Sequence, residues 1–134
     1  MEIHSEVRPE SRIPASGEIF GGGQGLPTHL NIASIVIHAA DDSQVSLPPA
    51  LLDDLNNPHV LSSPTIVRLA ARGVDLIFDG GDGEKGYQAT FRWDIRTRVL
   101  TRKVLRRNIG AWTSQWRLIR GRWKCLAPLA FEEE

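Results

Sequence analysis

From Tyr87 to Ile95 apolar and polar positions alternate without a break: Ala89, Phe91, Trp93 and Ile95 fall on one side, Thr90, Arg92 and Asp94 on the other. A two-residue period of this kind marks a strand with one buried face. Before it, "VDLIF" (74–78) reads as a strand entering the turn-rich "DGGDGEKG" (79–86). After it, "RVLTRKVL" (98–105) should pair back, although the adjacent pairs Val99-Leu100 and Val104-Leu105 interrupt the alternation. That interruption implies a strand buried at both ends or a bulge. "AWTSQWRLI" (111–119) and "RWKCLAPLAF" (122–131) supply one or two further strands around Arg120-Gly121.

The first half reads differently. "HLNIASIVIHAA" (29–40) carries Ile32, Ile35, Val36 and Ile37, a β-branched density that favours a buried strand. "SLPPALLDDLNNP" (46–58) reads as a short helix with Pro48 and Pro49 in its first turn, although Asp53 and Asp54 oppose the dipole at its end. "SSPTIVRLAARG" (62–73) has a helix signature: Ser63 as cap, Pro64 at the first position and Gly73 at the left-handed stop. The pattern therefore predicts an α+β fold. An antiparallel meander of four to five strands in the C-terminal half packs with one N-terminal strand and two short helices. Residues 1–28, rich in Pro, Ser, Glu and Gly, read as a flexible arm; 29–131 form the single domain and 132–134 an acidic tail.

At 134 residues the chain has the length of one domain and buries roughly two-thirds of its unfolded surface, enough for a core without staples. No apolar run approaches the roughly 20 residues of a membrane span. The opening "MEIHSEVRPES" is acidic and polar, unlike a secretory signal. A lone cysteine, Cys125, excludes an intrachain disulfide and, set in an apolar strand, reads as a core thiol. A cytoplasmic location is the expectation.

A formal net charge of zero conceals a strong segregation. Residues 85–124 hold twelve Lys/Arg against one acid, Asp94, whereas residues 1–84 hold four basic and twelve acidic residues, and Glu132, Glu133 and Glu134 end the chain. Such asymmetry points to an anionic partner for the basic part, or to an acidic surface of the same protein. The candidate contact residues are Arg92, Arg96, Arg98, Arg102, Lys103, Arg106 and Arg107. The first reading is a non-catalytic binding or assembly module whose basic sheet contacts an acidic protein surface, its own copies included.

The alternative on the same residues is nucleic acid or another polyanion, since Trp93, Trp112, Trp116 and Trp123 lie in the basic segment. Stacking on bases requires rings and cations on one face. Alternation places Phe91 and Trp93 opposite Arg92, which favours rings in the core. Asp94, between Arg92 and Arg96, reads as a partner in a local ion-pair network.

No cofactor, metal or catalytic set is assigned. "GGGQG" (21–25) lacks the Lys-Ser/Thr of a phosphate loop and reads as a linker. Asp79, Asp82 and Glu84 miss the EF-hand spacing and suit a hairpin loop. His4, His29, His38 and His59 show no ligand spacing. A small enzyme is the third reading, which a pocket holding His38 or His29 beside a carboxylate would favour.

Overall fold

The strand pairing that 87–95 announces continues on both sides of it, and the described residues from Ile66 to Glu133 form a single sheet. The computed structural model describes residues 2–9, 28–38, 44–52, 54–55, 66–70, 73–81 and 86–133. Six strands follow one another as an antiparallel meander: β4 (Ile66–Ala70), β5 (Gly73–Gly80), β6 (Tyr87–Asp94), β7 (Val99–Arg106), β8 (Gly110–Ile119) and β9 (Arg122–Glu133). A second antiparallel sheet, in the order β1-β2-β3, comprises β1 (Glu2–Pro9), β2 (Thr28–His38) and β3 (Gln44–Ser46).

The expected α+β class with two helices is wrong; the described residues are nearly all sheet. Residues 66–70, expected in the second helix, form β4 and pair with β5 from Ile66 opposite Ile77 to Ala70 opposite Gly73. A capping signature is local, and here pairing of the β-branched Ile66-Val67 stretch along a neighbouring strand outweighs it. Gly73 is no left-handed stop. It sits in β5 where β6 approaches closely, and a Cβ there would overlap the Trp93 carbonyl oxygen.

The other expected helix reduces to a 3₁₀ turn, Pro49–Leu51. Pro48, followed by a second proline, is held extended at φ −60° and ψ 128°, so no helical turn can precede it. Leu51, Leu52 and Leu55 then bury themselves with Asp54, closed by the Leu55 amide donating to the Leu52 carbonyl at 3.2 Å. Within the stretch read as an arm, Glu2–Pro9 form β1, paired along β2 with a bulge at His4/Ser5. The "GGGQG" linker lies outside the described residues.

The two sheets share one core. Ile32, Ile35, Ile37 and Val45 of the smaller sheet pack in a single cluster with Leu76, Phe78, Phe91, Trp93, Leu100 and Val104 of the larger. Phe78 and Phe91 stack with ring centroids 6.2 Å apart, and Trp123 meets Trp93 edge-on at 5.7 Å. The Trp123 indole N–H donates to the Ser46 carbonyl at 3.2 Å, pinning β3 over the start of β9. β7 alternates regularly without a register shift, and its second apolar side chains, Val99 and Leu105, are half-buried on the outer face. No helix among the described residues is long and apolar enough to cross a membrane.

The close approach at Gly73 makes a direct test. Gly73→Ala is expected to cost about 1–3 kcal/mol, as overpacking does, read as a lower denaturant midpoint at unchanged slope. An unchanged midpoint would contradict this β5–β6 spacing.

Candidate functional site

The seven cations proposed from sequence do not form one surface. Strand alternation and the turns distribute them over four places.

Arg92 lies on the outer face of the sheet, opposite Asp75 of β5. Its Nε donates to Asp75 Oδ1 at 3.0 Å and a terminal nitrogen to Oδ2 at 3.2 Å, a two-pronged pairing. The hydrogen bond, and then the charge, of Asp75 raise the Arg92 pKa. Lys103 is exposed on the same face, between Thr90 and Thr113. Arg106 and Arg107 lie at the far end, beside the turn into β8. Asn108, at φ 66°, takes the turn position that favours positive φ.

Arg102 belongs to the core. It follows Leu100 on the inward face and precedes Val104, with only 1% of its surface exposed. Its guanidinium donates to Asp54 Oδ2 at 2.8 Å, and Asp54 is fully buried. A charge inside a protein needs a partner, and the irregular segment after Pro49–Leu51 delivers one. The sequence held a signal for this pair: an arginine at an inward strand position, and an aspartate among three leucines.

Beside them the Tyr87 hydroxyl is buried as well. Burial first, and then the negative charge of Asp54, push the phenol pKa up, while Arg102 pulls the other way.

Arg96 and Arg98 do come together, with cations not singled out from sequence. Asp94 accepts the amide N–H groups of Arg96 and Thr97 at 2.9 and 3.1 Å, so its carboxylate shapes the β6–β7 turn; Arg92 takes Asp75 instead. Arg98 adopts φ 58°, and its amide donates to the Asp94 carbonyl at 2.8 Å. The next hairpin turns through Arg120 and Gly121 at φ 51° and 76°, the paired positive values of a two-residue turn whose twist suits antiparallel strands. These two hairpin ends lie side by side: the Leu118 amide donates to the Arg98 carbonyl at 3.0 Å, and Arg98 Nε reaches the Leu118 carbonyl at 3.4 Å.

One end of the sheet therefore carries Arg96, Arg98, Arg117, Arg120, Arg122 and Lys124, all exposed. Arg117 and Lys124 are cross-strand neighbours. Along these two hairpin ends the one acid is Asp94. Ile95 and Ile119 stand among the cations, 50% and 43% exposed. The tryptophans turn elsewhere: Trp93 is buried, and Trp112, Trp116 and Trp123 pack partly buried against the core.

The chain was compared with protein-family models, curated proteins and solved structures. None of them matches it.

Other expected features separate in the same way. Cys125, expected in the core, is exposed on β9, a strand most of whose side chains are exposed. His38 is exposed at the end of β2. Asp79 is exposed at the end of β5, and Asp82 and Glu84 lie outside the described residues, as does His59. Among the described residues no three His, Cys, Asp or Glu side chains gather as a metal site would require.

The buried pair and the buried phenol each give a test. Asp54→Ala, which takes the carboxylate at 2.8 Å away from the buried Arg102 guanidinium, is expected to lose about 3–5 kcal/mol, whereas Asp54→Leu with Arg102→Met recovers most of that loss. Chemical denaturation checks both, and a mild single-variant effect would contradict the buried pairing. For Tyr87 the folded state keeps its proton after the unfolded chain has lost it. Stability is therefore fully present below the ordinary tyrosine value of about 10 and falls as pH rises above it. As the chain has one tyrosine, phenolate absorbance should appear only with alkaline unfolding, and Tyr87→Phe should remove this part of the pH slope. Phenolate forming in the folded protein near pH 10 would contradict the burial.

Proposed function

We propose that the protein is a non-catalytic binding module whose contact surface is the basic end formed by the β6–β7 and β8–β9 hairpins. The observation that carries this reading is the convergence of six exposed cations on two adjacent hairpin ends joined by the Arg98–Leu118 hydrogen bonds, one from backbone and one from the Arg98 side chain. Such a cluster raises the local concentration of anionic partners and orients their approach. Ile95 and Ile119 among the cations give it the mixed apolar and basic character of a protein contact. An acidic protein surface with apolar residues is the partner class that fits.

Of the residues assigned from sequence, Arg96 and Arg98 remain in the proposed surface. Arg102 leaves it, since a buried guanidinium cannot meet a partner without unfolding its surroundings. Nucleic acid is less well supported, because the tryptophan rings that would stack on bases pack toward the core rather than among these cations. An exposed thiol at Cys125 suits a reducing compartment, in keeping with a cytoplasmic protein.

Polyglutamate serves as the acidic probe. Reversing Arg96→Glu together with Arg120→Glu is expected to weaken its binding at least tenfold, with stability within about 0.5 kcal/mol as for ordinary surface changes. Binding should also decline with added salt. Unchanged polyglutamate binding in the folded variant would sink this reading. Tighter retention on an immobilised oligonucleotide than on polyglutamate would assign the surface to nucleic acid instead.

A further inference from the structure

β9 is the last strand of the six-stranded sheet, and it is organised by charge along its length. Arg122 and Lys124 lie near its start, Glu132 and Glu133 at its end, and between them runs the uncharged "CLAPLAF". Much of that centre is exposed: Leu126 and Phe131 are 40% and 51% exposed, and Cys125 is exposed. A long apolar edge strand left open invites association.

The pattern is self-complementary. Lys124 and Glu132 each lie four positions from Pro128, and Cys125 and Phe131 each lie three. Their partners on β8 establish the faces. Lys124 is opposite Arg117 and Glu132 opposite Ala111, on the outer side; Cys125 is opposite Trp116 and Phe131 opposite Trp112, on the inner side. A two-fold axis at Pro128 would thus bring Lys124 to Glu132 on one face and Cys125 to Phe131 on the other.

We propose that β9 is the seam of a symmetric pair of copies, laid antiparallel so that Lys124 of each meets Glu132 of the other across a shared apolar centre. This is an isologous contact, in which the same patch serves both partners. Side chains hold it rather than a continuous backbone ladder. Pro128 offers no N–H, and β9 shifts register against β8 on either side of Gln115. Burial of the apolar centre supplies the affinity, and the charges specify direction and register. The pairing shares Lys124 with the basic end but needs no other cation of that cluster.

Sedimentation of the full chain tests the pair. The wild type is expected at twice the chain mass. Lys124→Glu and Glu132→Lys should each weaken dimerisation at least tenfold, and the two changes combined should restore it by exchanging the charges. A wild-type monomer at about a hundred micromolar, or folded single reversals that remain fully dimeric, would overturn the proposal. So would a folded double variant that stays monomeric. Register has its own readout. Under mild oxidation Phe131→Cys should form a covalent dimer through Cys125 of the second copy, and adding Cys125→Ser should abolish it; no covalent dimer in the first variant overturns the register. Arg96→Glu with Arg120→Glu should keep the dimer while losing polyglutamate, so either reading can fail without the other.

Discussion

A buried ion pair between Arg102 and Asp54 ties the larger sheet to the segment that follows the smaller one. Its two halves come from different kinds of element. Arg102 sits in the middle of a regular strand, and Asp54 sits in the irregular segment that follows the first sheet. Removing two charges from water costs several kcal/mol per ion, and only close, well-directed contact offsets it. The pair is therefore weak evidence for net stability and better evidence for a unique arrangement. A one-residue slip of β7 would turn Arg102 out and Lys103 in, leaving Asp54 without its guanidinium. The pair thus locks the register of the central strand and fixes the connecting segment against it.

This constraint divides the basic half of the chain by role. One arginine supports the core, one is held by Asp75 on the outer face, and two lie at the far end of the sheet. The cations free to act together come from turns and from the strand residues beside them. The β6–β7 and β8–β9 hairpins bring them to one end of the sheet, where the Asp94 carboxylate accepts the amides that build the first turn. The segregation of charge along the sequence becomes a narrower segregation in space.

Much of the larger sheet was legible in the sequence. The period-two run of 87–95 and the turn residues at Arg120-Gly121 marked strands close to where they lie, and the inward placement of Phe91 and Trp93 followed from alternation alone. That 66–70 is strand and not helix was not legible, because a cap, a proline and a terminal glycine act locally, whereas the pairing of β4 with β5 depends on neighbours beyond that stretch. Gly73 shows the ambiguity well: a glycine that ends a helix and one that admits a neighbouring backbone look alike in one dimension. Candidate contact residues were only partly legible. Counting charges along 92–107 merged both faces and both ends of a strand pair, so buried Arg102 was grouped with exposed Arg96. Arg117, Arg120, Arg122 and Lys124 join the cluster only once the second hairpin is folded beside the first.

On the proposed reading, anionic partners meet the hairpin end of the sheet and not its middle or its opposite end. Backbone amide shifts recorded while the isotope-labelled protein is titrated with polyglutamate would locate the contact directly. Changes should concentrate at 95–98 and 117–124 and leave the amides of Arg102, Lys103, Arg106 and Arg107 unmoved. Changes centred on 102–107, with the hairpin end silent, would put the contact at the opposite end of the sheet and overturn the proposed surface.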